Sequence, residues 1–159
     1  MSVDPRVVQQ ALIAVLIVVA CYTDVTTMKI KNWLTLPIMA LGSALAFWTL
    51  GAWWLGVAGL LTALVVAFLP WHTRVLSAGD VKMLMAAGAL LGPHLAISAT
   101  LWSLCIAVPA GLAALLYKRR LGNLKRVLVD GKTEEATMLW HAPVLGAGIV
   151  VAMVWPNAI

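Results

Sequence analysis

Residues 53–70, WWLGVAGLLTALVVAFLP, decide the fold, because these eighteen consecutive positions carry no charged side chain. A helix needs about 20 apolar residues to cross the hydrocarbon core of a bilayer. Similar apolar runs lie on both sides of this stretch, and the chain of 159 residues is 63% hydrophobic and only 11% charged. This composition excludes an ordinary soluble globular protein and predicts an all-α, polytopic membrane protein with one domain over residues 1–159.

The apolar runs and the polar breaks between them predict a bundle of about six transmembrane helices. The predicted helices cover residues 7–22, 33–50, 53–70, 80–91, 95–117 and 138–155. The fourth is short for a crossing, and Gly92-Pro93 interrupts the chain directly after it. Small residues recur within the helices and predict that neighbouring helices approach closely. These pairs are Gly42 with Ala46, Gly56 with Gly59, and Gly146 with Gly148.

The basic residues predict the orientation of the chain. With the N-terminus outside, ten of the eleven lysines and arginines face the cytoplasm, and only Arg6 lies outside. This asymmetry requires the short fourth helix to cross, because otherwise the basic cluster 118–132 would move outside. The preference of basic residues for the cytoplasmic side of a membrane therefore explains the net charge of +5, and nucleic acid is not expected as a partner.

The cysteines and histidines do not predict a metal or nucleophilic site. Cys21 and Cys105 lie singly in or beside apolar runs and are expected to be small buried hydrophobic side chains. The three histidines are scattered over both predicted membrane faces, and no spacing fits a set of metal ligands. We therefore expect neither a metal nor another cofactor.

Two of the six acidic residues, Asp24 and Asp80, adjoin apolar helices on the predicted cytoplasmic side. An ionisable group at membrane depth is costly and indicates a functional site. Taken singly, Asp24 is equally well explained as the polar end of the first helix, and Asp80 as an N-cap before Val81. Taken together, they predict a pair that shares a proton, in which one carboxylate activates water and the other protonates the scissile carbonyl.

Two segments resemble those of the type IV prepilin peptidases. The stretch DVTTMKIKNWLTLP, residues 24–37, resembles their first catalytic segment, an aspartate followed by Ile-Pro-Asn and a Leu-Thr run. The stretch SAGDVKML, residues 77–84, resembles their second, the GxGD segment followed by Val and Lys that opens a helix. The order of the segments and their positions at helix ends match the family, and the resemblance covers most of the chain.

This sequence departs from the family pattern at two positions. Ser77 replaces the first glycine of GxGD, and Lys31 replaces the usual proline before Asn32. Neither change removes a carboxylate, so activity is still expected, although the geometry of the loops is open to change.

The resemblance implies an aspartic endopeptidase with Asp24 and Asp80 as its catalytic pair. Gly79, Lys82 and Asn32 are candidate supporting or substrate-binding residues, although snorkelling explains Lys82, and capping of the second helix explains Asn32. The implied substrates are prepilin-like precursors with a basic leader and an apolar helix, cut at the cytoplasmic face of the inner membrane. No methyltransferase activity is expected, as in the short forms that serve tight-adherence pili or archaeal filaments.

Two alternatives stay open. A non-enzymatic membrane subunit or small transporter would use Asp24 and Asp80 as a proton or ion relay, but their interfacial positions argue against it. The presenilin and signal-peptide-peptidase group also uses a GxGD aspartate. That group has more helices and a Pro-Ala-Leu segment, which this sequence lacks.

Overall fold

The computed structural model describes residues 4–27, 30–73, 76–117 and 141–155, and every element within these ranges is a helix. The helices are α1 (Pro5–Thr27), α2 (Asn32–Thr49), α3 (Trp53–His72), α4 (Ala78–Tyr117) and α5 (His141–Val154). The all-α prediction is therefore confirmed for these ranges. The basic cluster 118–132 and the predicted beginning of the last helix at 138 lie outside them.

The outer faces of the helices are apolar. Three segments, Pro5–Thr27, Trp53–His72 and Ala78–Ala110, are long and apolar enough to cross a membrane, and α5 contains a shorter apolar helix. On α3, Val65 is 73% exposed and Leu69 is 68% exposed. Large apolar side chains that face outward along whole helices suit a lipid environment and would be unfavourable in water.

Helix α1 is longer than the sequence predicts, since it ends at Thr27 and not near Tyr22. Its last turn is polar, but the threonine hydroxyls satisfy carbonyls of the helix itself. Thr26 donates to the Tyr22 carbonyl at 2.8 Å, and Thr27 donates to the Thr23 carbonyl at 2.7 Å. The interpretation that the first helix ends before Asp24 is therefore wrong. Asp24 lies inside the last turn of α1, where the helix fixes the direction of its side chain.

Helix α4 is broken at Gly92, as the sequence predicts. Gly92 has φ 80° and ψ 174°, a conformation that is open almost only to glycine. Pro93 contributes to the break, because it lacks an N–H and disfavours the helical conformation of the residue before it. The helix begins at Ala78, slightly before its predicted beginning at 80 or 81.

The second half of α4 runs back toward the end of the bundle at which the first half begins. Gly92 faces Leu50, just after α2 ends. Ser103, by contrast, donates a hydrogen bond of 3.0 Å to the carbonyl of Leu145 in the second turn of α5. Helix α5 begins beside the last turn of α1, the end at which α2 also begins. A straight helix would have carried Ser103 about 16 Å beyond Gly92 in the opposite direction.

Glycines bring α2, α3 and α4 into backbone contact at the centre of the bundle. A Cβ on Gly59 would lie 2.1 Å from the Gly88 carbonyl oxygen, and one on Gly88 would lie 2.5 Å from the Gly59 oxygen. A Cβ on Gly56 would lie 2.6 Å from the Cα of Ser43, and one on Gly42 3.0 Å from the α4 backbone. The predicted close approach at these positions is confirmed.

Helix α5 packs in the same way against α1 and the second half of α4. A Cβ on Gly148 would lie 2.4 Å from the Cα of Ser103, and one on Gly146 would lie 2.7 Å from a methyl of Ile17. Both glycines were predicted as packing positions, and both are confirmed. Only glycine fits at Gly148, because the opposing atoms include backbone.

The expectation that both cysteines are buried is wrong for Cys105, which is exposed, while Cys21 is half-buried. Cys105 lies on the same helix face as Val108, which is also exposed. The buried face of this part of α4 carries Ser103 and Ala107 instead.

Candidate active site

Asp80 lies in the first turn of α4 and is only 2% exposed. Its carboxylate accepts a hydrogen bond of 2.8 Å from the Ser77 N–H, and its own N–H donates to the Ser77 hydroxyl at 3.2 Å. This reciprocal arrangement is a capping box, with Ser77 as the N-cap and Asp80 three residues later. The interpretation of Asp80 as an N-cap before Val81 is therefore wrong. Ser77, which stands where the family pattern has glycine, supplies the hydroxyl that completes the capping box.

Asp24 lies in the last turn of α1 and is 7% exposed. Its carboxylate accepts a hydrogen bond of 3.0 Å from the N–H of Ala142, in the first turn of α5. The first turn of a helix has amides without partners inside the helix and carries partial positive charge, so it stabilises a nearby carboxylate. Pro143, the next residue, has no N–H to offer. Asp24 therefore caps α5 from a different helix, and no sequence pattern links positions this far apart.

The two resembling segments touch at the end of the bundle where α1 ends and α2 and α4 begin. A Cβ on Gly79 would lie 3.2 Å from the Cβ of Ile30, in the connection between α1 and α2. Lys82 donates a hydrogen bond of 2.9 Å from Nζ to Oδ1 of Asn32. All three residues that the sequence singled out as supporting ones therefore lie in the contact between the segments.

The structure distinguishes the alternatives for Asn32. It is the first residue of α2, whereas the N-cap is Lys31, which makes no side-chain capping hydrogen bond. The side chain of Asn32 accepts from Lys82 instead. Capping of α2 by Asn32 is therefore not its role, and the hydrogen bond ties the beginning of α2 to the first turns of α4.

The arrangement places two buried carboxylates within one turn of helix ends, at the same end of the bundle. Asp24 lies three residues before α1 ends, and Asp80 is the third residue of α4. Each accepts from a backbone amide at a helix N-terminus. A carboxylate can take a proton from water, and a carboxyl group can give one, so the pair has the groups that general acid–base chemistry needs. Across the described ranges, no three histidine, cysteine or acidic side chains are grouped so that they could hold a metal ion.

A buried polar residue of α2 at this end is not among the candidates from the sequence. Thr35 lies in the first turn of α2 with no exposed surface, and its hydroxyl has no hydrogen-bond partner among the residues that the structure describes. An unpaired buried hydroxyl costs about 1–3 kcal/mol. The only signal in the sequence was its place in the Leu-Thr run after Asn32.

A comparison with protein families gives a match to the type IV leader peptidase family over residues 11–112. The matched region contains Asp24, Asp80 and both resembling segments. No curated protein and no solved structure matches the chain. The family match covers well over half of the 159 residues and agrees with the resemblance in the sequence. The chain therefore belongs to the type IV leader peptidase family.

Proposed function

We propose that the protein is a membrane aspartic endopeptidase that removes the leader from prepilin-like precursors through Asp24 and Asp80. The observation that carries the proposal is the burial of both carboxylates, 7% and 2% exposed, at one end of an apolar helix bundle. Both lie in the region that matches a peptidase family. Burial of two acidic groups opposes folding, and a catalytic role accounts for that cost.

The chemistry needs one ionised and one protonated carboxyl group. The ionised group takes a proton from water as the water oxygen attacks the scissile carbonyl carbon, and the protonated group gives its proton to the carbonyl oxygen. The tetrahedral intermediate then collapses. The carboxyl group that took the proton from water gives it to the leaving nitrogen, the C–N bond breaks, and a hydroxyl group of the intermediate returns a proton to the other carboxylate. Each carboxyl group is held by a backbone amide, from Ala142 and from Ser77, which supports a fixed orientation during these steps.

We further propose six crossings with the N-terminus outside, so that the site faces the cytoplasm from the inner membrane. The distribution of basic residues in the sequence supports this orientation. The return of α4 after Gly92 supports counting each of its halves as one crossing. A precursor with a basic leader and an apolar helix would then present its cleavage site at the level of Asp24 and Asp80.

The test is cleavage of a prepilin-like precursor by the purified protein in lipid vesicles. Asp24→Asn and Asp80→Asn keep an oxygen that can accept from Ala142 and Ser77, so both variants should fold. We expect each to lower kcat by at least about 100-fold, because general acid–base catalysis is worth about 10²–10⁴. Asp4→Asn is the matched control, since Asp4 is exposed and its carboxylate accepts a local bond from the N–H of Arg6.

Two results would contradict the proposal. Cleavage that persists in a folded Asp24→Asn or Asp80→Asn variant would show that the two carboxylates are not the catalytic pair. Absence of cleavage by the parent chain, together with aspartate-dependent proton uptake into the vesicles, would favour the relay over the peptidase.

A further inference from the structure

We propose that Thr35 is a substrate-binding residue of this site, and that its hydroxyl hydrogen-bonds the precursor backbone beside the bond that Asp24 and Asp80 cleave. The inference rests on the proposed function and names a residue that binds the substrate of that site.

Thr35 differs from other buried threonines of the bundle. Thr23 donates to the Ala20 carbonyl at 3.1 Å, and Thr100 donates to the Ala96 carbonyl at 2.7 Å. Such bonds to the preceding turn are the usual way in which a helix satisfies a threonine hydroxyl. The Thr35 hydroxyl makes no such bond, although the residue has no exposed surface. It is therefore a buried polar group that is available to a ligand.

The position of Thr35 on α2 turns it toward the first half of α4. Asn32 and Gly42 lie three residues before it and seven after it, so all three share one helix face. Asn32 accepts a hydrogen bond from Lys82, and Gly42 packs against the backbone of Ala89. Thr35 lies between these two contacts with α4, on the face that makes them.

Thr35 is also about as close to the end of its helix as the two carboxylates are to theirs. It is three residues after α2 begins, Asp24 is three residues before α1 ends, and Asp80 is the third residue of α4. Three residues of helix correspond to about 4.5 Å. Three helices thus each place a buried polar side chain within about one turn of their ends at this end of the bundle.

The chemistry of the substrate makes a hydroxyl useful at this level. A peptide strand that enters an apolar bundle must satisfy its own N–H and C=O groups, because lipid and apolar side chains offer no partners. A threonine hydroxyl can donate to a carbonyl or accept from an N–H. Since Asp24, Asp80 and Thr35 are all buried in the resting protein, the helices must separate for the strand to enter. The hydroxyl then gains the bond that it lacks at rest.

The test measures binding of an intact precursor to the Asp80→Asn protein in vesicles, so that turnover is not needed. Adding Thr35→Val should weaken the affinity about tenfold, because a substrate backbone group loses its partner. Thr35→Ser keeps the hydroxyl and should retain the affinity. Thr100→Val is the matched control, since this equally buried hydroxyl is already bonded to its own helix.

An unchanged affinity in the Thr35→Val protein would overturn the inference, and so would a fall in kcat of the otherwise unmodified enzyme without a change in affinity. If the valine variant does not fold, Thr35→Ala, which also lacks the hydroxyl, is measured in the same assay with the same expected loss of affinity. Cleavage by the parent chain tests the proposed function separately. A protein that binds through Thr35 but never cleaves would refute the peptidase proposal and leave the binding role standing.

Discussion

The centre of the bundle and its polar end are held together in different ways. At the centre, Gly59 and Gly88 bring α3 and α4 so close that a Cβ on Gly59 would lie 2.1 Å from a carbonyl oxygen. At the polar end, a Cβ on Gly79 would lie 3.2 Å from its nearest neighbour, a side-chain atom. Hydrogen bonds from Ser77 and Ala142, rather than steric contact, hold the aspartates there.

The difference indicates how the molecule combines stability with access to its site. Backbone contact at the centre leaves no space for rearrangement, since close-packed groups resist even one added methyl. A hydrogen bond to a charged group contributes about 1.5–3 kcal/mol, and such a bond can break and re-form without moving the backbone. A bundle with backbone contact at its centre and hydrogen bonds at its polar end is suited to admit a substrate strand at that end without unfolding.

The largest expected effect on stability is that of Gly59→Ala. The added methyl meets a backbone carbonyl of α4, which cannot move aside as a side chain can. We expect a loss of stability at or above the upper end of the roughly 1–3 kcal/mol usual for overpacking. Thermal unfolding in detergent, followed by circular dichroism, measures it.

The matched control is Gly79→Ala, which adds the same methyl at the polar end. The nearest atom, the Cβ of Ile30 at 3.2 Å, needs to shift by only a few tenths of an ångström, so the unfolding temperature should fall much less than in Gly59→Ala. Because Gly79 adjoins Asp80, cleavage should nevertheless fall, by up to about 100-fold if the carboxylate is displaced. If Gly59→Ala is stable and Gly79→Ala is not, the polar end is packed more tightly than the centre, contrary to the expectation.

Those parts of the fold that depend on one dominant physical signal could be predicted from the sequence. Apolar runs bounded by polar breaks predicted the helices, and Gly92-Pro93 predicted the break in α4. Glycine pairs such as Gly56 with Gly59 predicted the close packing. The end of α1 was missed because Thr26 and Thr27 look like loop residues, yet their hydroxyls satisfy carbonyls of the helix.

The site was readable only in part. Asp24 and Asp80 stood out because carboxylates are rare beside apolar helices. The contact between Asp24 and Ala142 joins residues 118 positions apart, and it depends on how α1 and α5 pack. The capping box of Ser77 and Asp80 has a local signature, an N-cap serine with an acidic residue three positions on. The family pattern has glycine at position 77, and it therefore draws attention away from the capping role of the serine.

A smaller effect is expected from Ser77→Ala, which removes the hydroxyl that accepts from the Asp80 N–H. Loss of an N-cap costs about 1 kcal/mol of stability. Alanine keeps the N–H that holds the Asp80 carboxylate, but without the reciprocal bond this N–H is less firmly positioned, so kcat should fall while KM stays near its original value. Steady-state kinetics with a precursor substrate measures this change.

Ser77→Thr is the control, because threonine keeps the capping hydroxyl and should retain both stability and kcat. Ser77→Gly, the residue that the family pattern has at this position, should behave like alanine in kcat but lose less stability, as glycine is a tolerable N-cap. If alanine leaves kcat unchanged, the box stabilises the helix without positioning the carboxylate.

The smallest expected effect concerns the hydrogen bond between Lys82 and Asn32, at the exposed rim of the polar end. A double-mutant cycle with Lys82→Met and Asn32→Ala should give a coupling energy below about 1 kcal/mol in unfolding, because even two opposite charges contribute little at an exposed position and asparagine is neutral. The same cycle on KM tests whether the pair also contacts the precursor. If the two substitutions act additively on stability but both raise KM, both residues contribute to substrate binding. Strong coupling in unfolding would instead contradict the expectation that this hydrogen bond holds the helices less firmly than the glycine packing at the centre.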